Sequence, residues 1–131
     1  TLMSAIPKVH RDFAPGKPRQ VAVVYAPGHG ARWSTQSFSD PNLPALLVFH
    51  EAIVRYVLDT PPAQRTERDL EAVLEGIEGH CGSVPNEYVY CGAVLDLAVR
   101  WLDVGTRFRI MEHDGNEWVE TYDPSRYPHK A

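Results

Sequence analysis

The chain carries only two cysteines, Cys81 and Cys91, in 131 residues, which excludes a disulfide scaffold and makes a reducing cytoplasm the expected compartment. It also lacks a long apolar run. The richest stretch, Leu43 to Leu58, is interrupted by His50, Glu51 and Arg55, well short of the roughly 20 apolar residues a spanning helix requires, so no membrane segment is expected. The N-terminus has no basic, apolar and small-residue succession, so no secretory signal is read there. None of the histidines at 10, 29, 50, 80, 113 and 129 falls in a His-x-x-x-His pair, and the cysteines form no Cys-x-x-Cys pair; neither a metal nor a cofactor is expected. Neither the Gly-x-x-x-x-Gly-Lys-Ser/Thr nor the Gly-x-Gly-x-x-Gly phosphate fingerprint occurs, and there is no Gly-x-Ser-x-Gly elbow.

What is present fits one domain, with 44% hydrophobic and 23% charged residues. The net charge of −4 argues against bulk nucleic-acid binding, but it is unevenly spread. Residues 1–40 hold five Lys and Arg against Asp12 and Asp40, a balance of +3, leaving −7 for the remainder. That asymmetry favours self-association or a small anionic ligand near the N-terminal third; a solvated basic tail of Lys8, Arg11, Lys17 and Arg19 is the plainer alternative.

Residues 1–19, with Pro7, Pro15, Gly16 and Pro18, read as an extended arm preceding a single domain over 20–131. Val21 to Tyr25, apolar on both faces, reads as an interior strand. Asp40-Pro41-Asn42-Leu43-Pro44 starts a helix whose apolar stripe runs through Leu46, Leu47, His50, Val54, Val57 and Leu58, with Glu51 and Arg55 paired on its polar side. Pro61-Pro62 breaks the chain. Thr66 with Asp69 then caps a second helix carrying Leu70, Val73, Leu74 and Ile77, with Glu67, Glu71, Glu75 and Glu78 facing water.

Beyond Glu87 the period becomes two. Leu95 to Trp101, Arg107 to Ile110 and Trp118 to Tyr122 read as strands, the last two joined through Asp114-Gly115-Asn116, with Glu87 to Cys91 as a fourth strand if it pairs. The predicted fold is α+β: one antiparallel sheet, made of the N-terminal strand and a C-terminal three- or four-stranded meander, covered by two central helices.

The segment from Gly28 to Thr35 is the favoured site. Gly28, His29 and Gly30 offer backbone amides to an anion, Arg32 a guanidinium, Trp33 a stacking surface, and Ser34 and Thr35 hydroxyls. The competing structural reading has the glycines permitting a sharp turn, Trp33 plugging the edge of the core and Ser34 or Thr35 capping a turn. Arg107 and Arg109 share one strand face, either as part of a basic ligand surface or matched by Asp96, Glu112 or Glu120 on an adjoining strand. No catalytic residue is assigned. A small hydrolase built on Ser34 or Cys81 would need His29, His50 or His113 beside it in space.

Two stretches carry a family resemblance: Val23-Val24-Tyr25-Ala26-Pro27-Gly28-His29-Gly30-Ala31-Arg32-Trp33-Ser34-Thr35, and Gly105-Thr106-Arg107-Phe108-Arg109-Ile110 leading into Asp114-Gly115. They resemble small uncharacterised phage and prophage proteins with a Pro-Gly-x-Gly-Ala-x-Trp-Ser-Thr loop and a Gly-Thr-Arg-Phe-Arg-Ile strand followed by an Asp-Gly hairpin. Residues 43–92 depart from that pattern. The resemblance implies a phage-related origin, hence a host bacterial cytoplasm, and no particular reaction. The expected function is a phage-derived accessory protein that binds a host or phage protein or oligomerises with itself, without catalysis. The alternative is a nucleotide-type small-molecule binder using the Gly28–Thr35 loop.

Overall fold

Val21, Ala22, Val23 and Val24 are all without solvent exposure, and the rest of the molecule is layered around them. The computed structural model describes residues 6–28, 32–38, 41–77, 89–121 and 127–131. The elements are β1 (His10–Asp12), β2 (Arg19–Tyr25), α1 (Leu43–Phe49), α2 (Glu51–Asp59), a 3-10 turn (Pro62–Gln64), α3 (Glu67–Gly76), β3 (Ala98–Asp103), β4 (Arg107–His113), β5 (Asn116–Glu120) and β6 (His129–Lys130). The fold is α+β.

The strands divide between two antiparallel sheets, β1-β2-β3 and β5-β4-β6, where the sequence suggested one. Side chains of β2 alternate between two cores. Ala22 and Val24 pack with Leu43, Leu46, Leu47, Ile53, Leu70 and Leu74 of the helices, whereas Val21 and Val23 pack with Phe108 and Val119 of the second sheet. A strand covered on both faces is the reason this run is continuously apolar, each buried valine contributing roughly 1.5–3 kcal/mol. α1 is wedged between the layers, giving Leu46 and Leu47 to one core and Val48 and Phe49 to the other.

The expected meander fails at the turn after β3. Its amides do not close a hairpin ladder: Val104 N–H donates to the Arg19 carbonyl at 2.9 Å and Gly105 N–H to the Ala131 carbonyl at 2.7 Å. β3 therefore stays with β2, and β4 enters the second sheet with β5 and β6. Strand β3 also starts at Ala98, because the preceding residues turn tightly, with Val94 N–H on Cys91 O and Asp96 N–H on Ala93 O. Val89 to Cys91 are irregular; Glu87 and Tyr88 lie outside the described residues.

The N-terminal arm is also more structured than its prolines suggest. Ala22 N–H donates to Val9 O at 3.0 Å, β1 pairs with β2, and a turn closed from Lys17 N–H to Ala14 O joins them. The single helix expected over 43–58 is two helices. His50 leaves helical geometry (φ −58, ψ 129), ends α1, and caps α2 by accepting the Ala52 N–H on Nδ1 at 3.1 Å. The Thr66 cap of α3 is as read from sequence, with Asp69 N–H on Thr66 Oγ1 at 3.1 Å. Glu67, Glu71 and Glu75 are exposed, and Glu78 lies outside the described residues.

Arg65 is a buried cation that its sequence position did not reveal. Its guanidinium donates to the carbonyls of Thr60, Val94, Leu97 and Val57, fastening the 94–97 turn to the end of α2.

Candidate functional site

Asp114 and Gly115 both adopt positive φ (51° and 83°), the requirement of a two-residue hairpin turn whose twist matches its strands. The hairpin β4–β5 presents three side chains at this end, and each takes hold of the Gly28–Thr35 loop. Glu117 is the central one. It has 0% exposure, and its carboxylate accepts Ala26 N–H on Oε1 at 3.0 Å, then Trp33 N–H at 2.9 Å, Thr35 N–H at 3.0 Å and the Thr35 hydroxyl on Oε2. The Glu117 N–H in turn donates to Ala26 O at 2.9 Å. Asn116 Oδ1 accepts Gly28 N–H at 2.7 Å, and Glu112 lies 3.4 Å from Arg32 Nε while also accepting Gly115 N–H.

The donors around this carboxylate are Ala26, Trp33 and Thr35, not the Gly28, His29 and Gly30 amides read from sequence as an anion site; the Gly28 N–H goes to Asn116. A carboxylate enclosed by three amides and a hydroxyl has its desolvation offset by charge-assisted hydrogen bonds, and these amides are not open to a phosphate. Gly28 is required by its backbone, since at φ +115 a side chain would be strained even though a Cβ would meet Asp96 only at ordinary contact distance.

Trp33 is fully buried and donates its indole N–H to Leu47 O at 2.8 Å, at the last turns of α1. It is a core side chain, and the stacking role read from sequence has no surface to act from. Ser34 is buried beside it, with no hydrogen-bond partner for its hydroxyl among the described residues. Arg32 is half-exposed and already faces Glu112. His29 and Gly30 lie outside the described residues.

Arg107 and Arg109 sit on β4 of the second sheet. Arg109 meets its cross-strand partner Glu120 at 2.6 Å and stacks over Tyr127 at 4.8 Å, so one of the acids read from sequence does match it. Arg107 is exposed, opposite Lys130 on β6, with a long bond to Tyr127 O at 3.5 Å.

Gln36 and Tyr90 were not read from sequence as part of this region. The Gln36 side chain accepts Tyr90 N–H at 3.0 Å and donates to the carbonyls of Trp33, Arg32 and Tyr90, so it holds the 89–96 segment against the loop. The Tyr90 ring lies over Gly92, where a Cβ would meet Cζ at 2.3 Å, and stays 47% exposed. The sequence signal for Glu117 is its alternation with Trp118: it shares the inward face of β5 with Val119, and a carboxylate there needs donors.

The one thiol among the described residues, Cys91, is inert. Cys91 is buried, and burial, with Glu71 and Glu67 next in effect, pushes its thiol up to about 11, so it stays protonated at neutral pH. Cys81 and His80 lie outside the described residues. Among the described residues no cluster of His, Cys, Asp or Glu is arranged to hold a metal ion, and no helix is long and apolar enough to cross a membrane. Comparison with family models, with curated proteins and with solved structures finds no match to this chain.

Proposed function

We propose that the protein acts by binding and not by turnover, as an accessory protein of the phage type its sequence resembles, and that the outer face of the second sheet is its principal contact surface for a further copy or a partner protein. One observation carries this reading: Trp118 is 38% exposed on β5, directly opposite Met111 of β4, beside the Arg109–Tyr127 stack and Arg107. Trp, Met and Arg are among the residue types enriched in protein interfaces, and a tryptophan exposed on a strand is a ready anchor, while Tyr127 is buried beneath Arg109. Trp33, which looked ligand-directed, is by contrast held inside the fold by Glu117 and Leu47.

Light scattering on the size-fractionated protein tests this. The expected result is an assembly larger than one chain at micromolar concentration, or capture of a protein partner, either of which Trp118→Glu weakens. A monomer that captures nothing, in both proteins, would overturn it.

A second reading has its own support. Arg32 and Tyr90 are both about half exposed, and the Gln36 side-chain amide donates to the backbone carbonyls of both, which ties the two chain segments that carry a cation and a flat ring. A nucleotide-type ligand would stack on Tyr90 and meet Arg32. Mass spectrometry of small molecules released on denaturation, with calorimetry on Arg32→Ala and Tyr90→Ala, distinguishes it: unchanged affinity in both variants removes this surface as the site.

A further inference from the structure

Arg11 is held in place without an acid. Its guanidinium carbon lies 4.3 Å from the Trp101 ring and 5.7 Å from the Phe13 ring, and its Nε donates to Gln20 Oε1 at 3.0 Å. Gln20 is oriented by its own bond to Asp103 at 3.2 Å. Among the described residues Arg11 makes no ion pair. Two neighbouring cations are occupied: Arg19 faces Asp12 at 3.2 Å, and Lys8 donates to Lys130 O and lies over the Phe49 ring. A guanidinium fixed by two rings and an amide has already lost much of the freedom that binding removes, and its outer N–H groups keep the planar fork that matches a carboxylate.

The backbone beside it is equally suited. β1 is the edge of its sheet, and all three of its residues are exposed. Because Ala22 N–H bonds Val9 O, alternation turns the main-chain groups of Arg11 toward β2 and those of His10 and Asp12 outward. A strand added along this edge would place one residue opposite Arg11 in a non-hydrogen-bonded pair, the geometry in which facing side chains come closest.

We infer that the β1 edge is a docking site for an extended acidic peptide segment, whose Asp or Glu carboxylate is taken by Arg11 between Trp101 and Phe13. This surface is separate from the Trp118 face, so the two readings fail independently. Charge complementarity selects the occupant at Arg11 itself: among the described residues its guanidinium has no acid, whereas Asp12 on the same strand is matched by Arg19, so a carboxylate is what the edge lacks. A nucleic acid would need a track of free cations, and Arg11 is the one pre-organised here while Arg19 and Lys8 are engaged.

The test is fluorescence anisotropy with the full chain and a labelled short peptide of alternating Glu and Thr. Saturable binding is expected, weakened about tenfold or more by Arg11→Ala and by methylation of alternate peptide amides, and lost with Gln in place of Glu. Arg11→Lys, which keeps the charge and the stem but not the fork, should weaken it too, and serves as the readout if Arg11→Ala does not fold. Equal binding of the Gln peptide, unchanged affinity in Arg11→Lys, or tighter binding of oligothymidylate than of the acidic peptide would each overturn the proposal.

Discussion

The carboxylate of Glu117 accepts the backbone N–H of Trp33 at 2.9 Å, across 84 positions of sequence, and so sets the indole in the position from which it reaches Leu47. One inward acid on β5 thereby determines the path of the loop that leaves β2. Removing it should be costly. Glu117→Gln puts an NH₂ where an oxygen meets either Ala26 N–H or the Trp33 and Thr35 donors; urea unfolding should show a loss of roughly 1–3 kcal/mol, and Glu117→Ala at least as much. Thr35→Val, which deletes a single donor to that carboxylate, should fall within the same range and be non-additive with Glu117→Gln.

Trp33 should behave as a core residue. Trp33→Ala leaves a cavity between α1 and the Glu117 loop, and a loss of roughly 3–5 kcal/mol is expected. In a Trp101→Phe, Trp118→Phe background the remaining indole should resist acrylamide quenching, whereas an outward-facing indole would be quenched freely.

Gly92 is restricted by space. A methyl there overlaps the far end of the half-exposed Tyr90 side chain, so Gly92→Ala should displace the ring at a cost of about 1 kcal/mol or less. The clash involves the end of the side chain; Tyr90→Ala should therefore remove most of the penalty in a double-mutant cycle.

Two groups, the half-buried His129 and the buried Cys91, give stability a pH dependence of known sign. Burial, and secondarily the Lys8 ammonium, hold His129 below its ordinary value of 6.5, so the unfolded chain takes up this proton first. Stability should decline as pH falls below about 6.5 toward the depressed folded value, and His129→Gln should reduce that slope. Cys91 works at the other end: with its thiol moved from 9.0 to about 11, stability should decline as pH rises through that interval. In Cys81→Ser protein, alkylation of Cys91 near pH 8 should be slow until the fold is opened by denaturant.

Much of the architecture was legible from sequence because it rests on local rules. The buried strand at Val21–Tyr25 follows from an apolar run, the α3 start from Thr66 and Asp69, and the β4–β5 turn from Asp114-Gly115. Other features depend on partners far away in the chain. The helix break at His50 was hidden because an imidazole on an apolar stripe looks like core until its Nδ1 is seen to cap the next helix. The division into two sheets was hidden because it is decided by where the Val104 and Gly105 amides find acceptors, at Arg19 and Ala131. At the candidate site, Arg32, Trp33 and Thr35 were recognised as unusual for their types, but composition cannot tell whether an Arg-Trp pair faces solvent or the interior. Glu117 decides that, and it sits 84 residues beyond Trp33.

The most direct measurement is amide hydrogen exchange by NMR at Ala26, Trp33 and Thr35, the three N–H groups that converge on Glu117. If the loop closes on its own carboxylate, all three exchange orders of magnitude more slowly than an unprotected amide, and all three lose that protection together in Glu117→Gln. Exchange of these amides at unprotected rates in the wild-type protein would contradict it and return the loop to the surface as an open anion site.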